Sequence, residues 1–319
     1  MSKYANLGLR AAYGLILNDL AGKNKNFFVG ACDTSTSAGL DRFKNNYPNR
    51  YIEMGISEQN AIGVASGMAL EGNAIFLSTF APFLSLRVAE QVKIMLGYDQ
   101  APVCLVGIAS GLTQTTLGQT HCCLEDIGFM SLIPNLEIHS PSNLVELLSC
   151  INEYLEKPKP TYIRLTGDSK LIDEKELMNL DNIPLREIDR NRTSIIMIST
   201  GSIAYQASAA LKSFRNKGIY AEHLTLCKLK PLNESALVSV LKNFDFVFTI
   251  EEHNSIGGLG SLIANLLCTF SHKIKLIKIA IPDTFDIAGG TYTQVLEEFN
   301  LDSEGIKNII EQTLSINNV

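Results

Sequence analysis

The chain has 319 residues, of which 19% are charged, and its formal net charge is −6. A chain of this length can form two domains with full-sized cores, and an acidic balance without a cluster of lysine and arginine argues against nucleic-acid binding. No apolar run is long enough to cross a membrane, and residues 1–10 lead into an amphipathic pattern rather than a secretory leader. We therefore expect a soluble protein without a membrane anchor.

The seven cysteines lie mostly in apolar stretches and have no Cys-x-x-Cys spacing. An odd number of cysteines without a secretory leader is typical of reduced thiols in a cytoplasm. The five histidines are scattered along the chain, so we expect no metal site built from cysteine and histidine. Composition thus predicts a cytoplasmic protein.

Short β-branched or aromatic runs alternate with longer helical stretches along the chain. A charge-dense stretch without strong periodicity, at 169–192, separates two such series. The first series predicts strands at 27–31, 74–77, 103–108, 136–139 and 162–165 and helices at 58–70, 85–96 and 143–156; the second predicts strands at 194–199, 221–226, 246–250 and 275–279 and helices near 204–217, 234–242 and 258–270.

Alternating strands and helices predict parallel sheets covered by helices on both faces. The predicted fold class is therefore α/β, with two doubly wound parallel-sheet domains. These domains are expected at residues 1–168 and 193–319, joined by a linker at 169–192.

Three strand-to-loop junctions of the first domain are rich in hydroxyl groups. They lie at 33–37, 79–83 and 110–121 and also carry two phenylalanines and one histidine. Ligands of open α/β sheets bind beyond the carboxyl ends of the strands, where such junctions converge. This edge of the sheet is therefore expected to form a pocket for a flat heterocycle flanked by polar groups.

One carboxylate, Glu58, stands at the start of a predicted helix of small and apolar residues, with Ser57 as the expected N-cap. A carboxyl group at the boundary between surface and core has a raised pKa unless a cation or donor compensates. Glu58 is therefore a candidate proton-handling group. From this segment alone, a first-turn acid that complements the helix dipole is the plainer interpretation.

Several fragments, in order, resemble the transketolase family of thiamine-diphosphate enzymes. Gly-Ile-Ser-Glu-Gln-Asn at 55–60, Ser-Thr-Phe at 78–80 and Gly-Gln-Thr-His at 118–121 resemble its pyrimidine-binding domain. Four later fragments resemble the family's C-terminal domain: Lys-Pro-Leu at 230–232, Ile-Glu-Glu-His-Asn at 250–254, Gly-Gly-Leu-Gly-Ser at 257–261 and Ile-Pro-Asp at 281–283.

The family's Gly-Asp-Gly motif, which with a following Asn binds the diphosphate and Mg²⁺, is absent from this sequence; Gly-Asp-Ser at 167–169 lacks the second glycine. The resemblance therefore implies the C-terminal-half subunit of a split transketolase. It implies thiamine diphosphate as cofactor, with Mg²⁺ (or Ca²⁺) bound mainly by an N-terminal-half partner subunit. An α2β2 heterotetramer and a small-molecule sugar substrate are also implied, and the lone chain is not expected to hold the cofactor tightly.

The resemblance also assigns the catalytic residues. It implies that Glu58 faces N1′ of the aminopyrimidine and favours the tautomer that removes the thiazolium C2 proton. His121 corresponds to a histidine that contacts substrate hydroxyls or shuttles protons; a lone histidine is more often structural, but this one ends a hydroxyl-rich loop. Both are expected to be needed for activity.

Four further residues correspond to positions around the cofactor. Phe80 and Phe83 match aromatic residues that line the pyrimidine, Asp33 matches an acidic position near the thiazolium ring, and Ile56 is expected to pack against the cofactor. Phe83 and Ile56 are equally compatible with a place in the core, and Asp33 with an ordinary turn.

Arg10 and Ser37 align with phosphate-contacting residues at the entrance to the substrate funnel. Arg164 is either another anion contact or a domain-interface arginine, since a forked guanidinium suits both.

The sequence departs from the family at the substrate end, where Leu117, Ala109 and Gly167 replace a hydroxyl-reading Asp, a phosphate-contacting His and an Arg. The expected activity is transfer of a two-carbon ketol unit to and from an unusual sugar. Three alternatives remain: a 1-deoxyxylulose-5-phosphate-synthase-like subunit, a 2-oxo-acid dehydrogenase E1 β-like subunit, and a non-catalytic regulatory paralogue.

Overall fold

The chain forms two α/β units, each built on one sheet. The computed structural model describes residues 7–23, 25–167, 178–179, 194–215, 219–270, 273–287 and 289–317.

The first unit contains six strands and seven α-helices within the described residues. They are α1 (Leu9–Gly22), β1 (Phe28–Ala31), α2 (Asp41–Asn46), β2 (Tyr51–Glu53), α3 (Glu58–Leu70), β3 (Ile75–Phe80), α4 (Ala81–Ser85), α5 (Ala89–Gln91), β4 (Val103–Ser110), α6 (Asp126–Ser131), β5 (Glu137–His139), α7 (Leu144–Glu156) and β6 (Thr161–Thr166).

The described part of the second unit contributes β7 (Met178–Asn179), β8 (Ile195–Ser199), α8 (Ala204–Arg215), β9 (Glu222–Thr225), β10 (Lys228–Lys230), α9 (Glu234–Leu241), β11 (Phe246–Asn254), α10 (Leu259–Leu267), β12 (Lys275–Ile281), α11 (Tyr292–Glu298) and α12 (Ser303–Asn317).

The two sheets confirm the predicted α/β class. One sheet has the strand order β10-β5-β6-β4-β3-β1-β2, and the other has the order β12-β11-β8-β9-β7. Every described pairing is parallel except that of β10 with β5. The exception arises because β10, from the second half of the chain, covers an edge of the first sheet that is otherwise open to pairing.

The predicted domain boundary and linker lie almost entirely outside the described residues. Within 169–192 only Met178 and Asn179 are described, and this pair, β7, pairs in parallel with β9. The proposed boundaries at 168 and 193 therefore remain predictions.

Side chains of β4 alternate between two cores, as expected for a strand buried on both faces. Val103 and Leu105 pack with α3 and α6, whereas Cys104 and Val106 pack with α1 and α7. The first of these cores continues into the second unit, where it includes Ile196 of β8. The two units therefore share apolar packing as well as the β10–β5 pairing.

The predicted helix at 85–96 is broken in the structure. Pro82 stands in the first turn of α4, which begins directly after β3. The Ser85 hydroxyl then donates to the carbonyl of Ala81 at the end of this short helix. The segment continues as α5 and a π-helix at Val92–Tyr98. A proline at a helix start fixes where the helix begins, so the first turn is moved toward β3.

Among the described helices, none is both long enough and apolar enough to cross a bilayer.

His223 on β9 is buried, and burial lowers its pKa to about 4. Its unfolded-state pKa is about 6.5, so the unfolded state alone takes up a proton as the pH falls from about 6.5 to 4. The free energy of unfolding is therefore expected to fall over this range, by at most about 3 kcal/mol from this residue. Urea unfolding of His223→Leu at several pH values should show a shallower acid slope than the parent.

Leu224→Ala on the same strand serves as the control, because it removes buried packing but no titratable group and should leave the slope unchanged. Equal slopes for His223→Leu and the parent would contradict the assignment.

Candidate active site

Glu58 is the first residue of α3, and its side chain is only 4% exposed. One carboxylate oxygen lies 2.9 Å from Nη1 of Arg87, whose side chain is 42% exposed. Arg87 thus supplies the compensating cation that a carboxylate in this position needs. Ser57 occupies the N-cap position as expected, but its hydroxyl makes no capping hydrogen bond and donates instead to the carbonyl of Met54.

Arg87 joins Glu58 to the aromatic residues of the second junction. Its guanidinium lies 3.9 Å from the centre of the Phe83 ring, a cation–π contact. The Phe83 ring is 5.4 Å from His121 and 6.2 Å from Phe80. The structure therefore brings four of the predicted residues together, with an arginine that sequence reasoning missed. No local pattern pointed to it, because Arg87 lies in the turn between α4 and α5 and meets Glu58 only in the folded chain.

His121 reaches Phe83 because the loop after β4 closes on itself. Gly111 and Cys123 exchange backbone hydrogen bonds of 2.9 and 3.0 Å at its base. The His121 amide donates to Gly118, and the His121 ring Nδ1 lies 3.0 Å from the Thr120 hydroxyl. The hydroxyl-rich loop thus presents its histidine to the aromatic pair.

The turn after β1 is organised by a carboxylate that the sequence did not single out, Glu53. It accepts hydrogen bonds from the amides of Asp33 and Gly55 and from the Tyr51 hydroxyl, at 2.7, 3.2 and 2.8 Å. Burial opposes ionisation of Glu53, but these donors hold its pKa below the ordinary value. Asp33 is exposed, with a backbone φ of +54°.

Cys32 lies near the carboxylates of Glu58 and Glu53, and Ile56 precedes Glu58 by two residues in the sequence. Burial and the nearby charges of Glu58 and Glu53 raise the pKa of Cys32 to about 12, so it stays a thiol. Ile56 is 77% exposed, which excludes the core alternative for this side chain in the isolated chain. A large apolar side chain is therefore displayed two residues from a buried acid.

Arg10 lines a surface pocket at the substrate end, together with Thr113 and Gln114. Ala109 and Gly167, two of the three departures from the family pattern, line the same pocket. The residue changes are therefore concentrated around one cavity.

Ser37 and Leu117 lie near the substrate end by sequence but are not among the described residues that line this pocket. Ser37 is half-buried in the turn after β1, and Leu117 is exposed at the end of a short 3₁₀ helix.

Of the two interpretations of Arg164, the structure supports the domain-interface arginine. Arg164 is therefore removed from the candidate substrate-binding residues. Its side chain is 0% exposed. Its Nε donates to both carboxylate oxygens of Asp126 at 2.9 and 3.0 Å, and its Nη2 donates to the Glu252 carbonyl of β11 at 2.6 Å. A fully buried guanidinium held in this way cannot contact an incoming sugar.

Residues 250–254, the strongest motif of the second unit, hold the two units together. Glu251 is buried and accepts the amides of Leu259 and Gly260 at the start of α10, and burial raises its pKa to about 7. The Glu252 carboxylate accepts the Leu112 amide at 3.2 Å. A Cβ at Gly111, whose φ is +69°, would lie 2.8 Å from Glu252 Cβ, so only glycine fits this contact.

Two family models match the chain: the transketolase pyrimidine-binding domain over residues 5–169 and the transketolase C-terminal domain over residues 186–306. This chain belongs to the transketolase family. The resemblance found in the sequence motifs is thereby confirmed, and membership of the family implies dependence on thiamine diphosphate.

Related proteins match this chain over nearly their whole length, and they belong to the same family. A putative transketolase C-terminal section of Methanocaldococcus jannaschii is 32% identical, over 96% of this chain and 96% of that protein. An apulose-4-phosphate transketolase subunit of Actinobacillus succinogenes is 30% identical, over 89% and 90%. A solved split-gene transketolase, described as an inactive β4 tetramer, has a TM-score of 0.81 and 28% identity, over 97% and 99%. This transketolase-family chain is thus a transferase subunit of the split type.

The interface role of Arg164 can be tested by stability. Arg164→Met leaves the buried Asp126 without its cation, so the free energy of unfolding should fall by about 3–5 kcal/mol. Arg10→Met, at an exposed position, should change it by no more than about 0.5 kcal/mol. Urea unfolding monitored by circular dichroism measures both, and an Arg164→Met variant as stable as the parent would show that the pair carries no structural role.

Proposed function

We propose that this chain is the subunit of a split transketolase that carries the proton-handling glutamate. Together with an N-terminal-half partner it transfers a two-carbon ketol unit between sugar or sugar-phosphate substrates. The observation that carries the proposal is Glu58, buried at the start of α3, ion-paired to an Arg87 that also contacts the Phe83 ring, and two residues from the exposed Ile56. An acid with a purely structural role does not require an exposed isoleucine close to it.

The residues around Glu58 fit the pyrimidine end of thiamine diphosphate. Phe80 and Phe83 offer apolar ring surfaces within reach of a buried carboxyl group, and stacking adds about 0.5–1.5 kcal/mol to area burial. Asp33 and Ile56 are both exposed, one in the turn after β1 and the other just before α3. When bound, the cofactor supplies an electron sink for cleavage of a ketose carbon–carbon bond.

Each residue of this chain then has a defined task. Glu58 would share a proton with a ring nitrogen of the cofactor, and Arg87 sets the orientation of its carboxyl group. Phe80 and Phe83 orient the ring and exclude water from it. His121, at the end of the loop after β4, hydrogen-bonds a substrate hydroxyl or moves its proton.

A partner subunit completes the site in this proposal. The sequence has no Gly-Asp-Gly string for the diphosphate and Mg²⁺ (or Ca²⁺), so most of the ligands to the metal come from the partner. The solved relative described as an inactive β4 tetramer supports the need for a second kind of subunit. An α2β2 heterotetramer is the assembly we propose, in a reducing cytoplasm that suits seven cysteine thiols.

The proposed substrate enters past Arg10, with Ser37 at the funnel entrance. The pocket at Arg10 has neutral hydrogen-bonding groups, Thr113 and Gln114, and lacks the family's phosphate-contacting His because Ala109 stands there. A relative named for apulose 4-phosphate supports a sugar phosphate other than the common pentose phosphates. Arg10 is the proposed anion contact.

Loss of the Glu58 carboxyl is the most direct test. Glu58→Gln in the assembled pair is expected to lower the rate of ketol transfer by about 10²–10⁴, because it removes the group that shares a proton with the cofactor ring. Glu71→Gln, at the exposed end of the same helix, should retain the parent rate. A Glu58→Gln complex that assembles and turns over at the parent rate would refute the catalytic assignment.

Dependence on the partner can be measured by cofactor titration. Thiamine diphosphate with Mg²⁺ is titrated into this chain alone, into the partner alone and into the pair, by calorimetry. Tight binding is expected only for the pair, since the diphosphate anchor and the pyrimidine surface lie on different chains. Equal affinity of this chain alone would contradict a site shared between subunits.

A donor screen of the same pair separates the alternatives. Ketol transfer from a ketose supports the proposal. Decarboxylation of pyruvate with condensation of the two-carbon unit onto an aldehyde points to the synthase-like alternative. Decarboxylation with acyl transfer to lipoamide points to the dehydrogenase-like one, and stable assembly without any turnover points to a regulatory paralogue.

A further inference from the structure

A second cluster of reactive side chains lies at the opposite edge of the seven-stranded sheet from β2, the strand that leads into Glu58. It consists of His139, Cys150 and Cys227, and one nitrogen or sulfur atom from each lies within 4.8 Å of the others. The cluster has no task in the proposed catalytic site. His139 and Cys150 belong to the first unit, and Cys227 belongs to the second.

The fold fixes this arrangement through two elements. In the antiparallel pairing of β10 with β5, Lys228 lies opposite His139, and the Ser140 amide donates to the Cys227 carbonyl at 2.7 Å. Cys150 lies on the buried face of α7, between Leu147 and Tyr154 in the helical repeat. Strand register and helix face therefore place the two thiols and the imidazole at one point.

The distances suit a tetrahedral metal ion. Cys150 Sγ is 3.4 Å from Cys227 Sγ and 3.5 Å from His139 Nδ1. Metal–sulfur bonds of about 2.3 Å and metal–nitrogen bonds of about 2.0–2.1 Å separate the ligand atoms of a tetrahedral zinc site by about 3.5–3.8 Å. Two of the three separations therefore lie within a few tenths of an ångström of these values. The third pair, from His139 and Cys227, lies within 4.8 Å, so a movement of these two side chains toward each other completes the site.

The surroundings also suit a metal ligand set. Nε2 of His139 lies 3.5 Å from a carboxylate oxygen of Glu137, so the carboxylate can orient the ring with Nδ1 toward the thiols. Lys159 and Lys228 pair with Glu137, and Lys228 also pairs with Glu153. Two lysines and two glutamates cancel in charge, so two thiolates and one divalent cation leave the cluster neutral.

We propose that His139, Cys150 and Cys227 bind one Zn²⁺ ion, with a water molecule as the fourth ligand. The ion joins the two units of the chain, since its ligands come from both. The ion stabilises the folded chain because it binds the folded state and not the unfolded one, by an amount that grows with the logarithm of the metal concentration above the Kd. This site is separate from the Mg²⁺ of the family's cofactor.

The test uses the full chain, freed of metal with a chelator under reducing conditions and titrated with Co²⁺ as a spectroscopic probe. One equivalent is expected to give a thiolate-to-cobalt charge-transfer band in the near ultraviolet, which one equivalent of Zn²⁺ removes. Zn²⁺ should also raise the melting temperature, and EDTA should reverse this rise.

Matched variants locate the ion. Cys227→Ser should abolish the charge-transfer band, whereas Cys268→Ser, at an exposed cysteine after α10, should keep it. Glu137→Gln retains all three ligands and should weaken metal binding about 10–100-fold. This variant keeps the test decisive if the cysteine variant fails to fold.

Three results would overturn the proposal: a reduced chain that gives no band, a band that survives in Cys227→Ser, or a band lost in Cys268→Ser. The two cysteines would instead be a redox pair if they form a disulfide in air and the reduced chain takes up no cobalt. All readouts use this chain alone and are independent of the catalytic proposal.

Discussion

The buried ion pair of Arg164 with Asp126 is the interaction on which the geometry of the site depends. Arg164 on β6 holds α6 through Asp126, and the same guanidinium holds the carbonyl of Glu252 on β11. The Glu252 carboxylate then accepts the amide of Leu112, at the start of the loop that ends in His121. Charges buried this deeply are retained only where each has its partners. Contact between the units thus fixes one side of the loop that carries His121.

Local patterns predicted much of this fold and site. Hydrophobic runs located the central strands, and Asn143 caps α7 as the predicted helix start required, accepting the amides of Val145 and Glu146. The start of a predicted helix drew attention to Glu58, and the junctions to Phe80, Phe83 and His121; the structure groups these four through ring contacts and Arg87. The elements could be predicted because each depends on residues close together in the chain, whereas the roles of the site residues stay predictions.

What escaped prediction depends on residues distant in sequence. Arg87 follows Glu58 by 29 positions, and only the packing of α3 beside β3 and α5 brings the two together. Scattered histidines led to the expectation of no metal site built from cysteine and histidine, yet strand register places Cys227 near His139 across 88 residues. Spacing along a chain therefore excludes local metal motifs, but not clusters assembled by a sheet.

The motif residues of the second unit make structural contacts, whereas the first unit exposes an apolar side chain near Glu58. In the second unit, residues 250–254 have structural roles. Glu251 accepts amides at the start of α10, and His253 accepts the amide of Gly128 in the first unit. The first unit instead leaves Ile56 exposed beside a glutamate that is almost fully buried. Exposing a large apolar side chain costs free energy that another surface can recover by covering it. The side of the chain that carries Glu58 is therefore the side on which a cofactor and a second subunit are expected to pack.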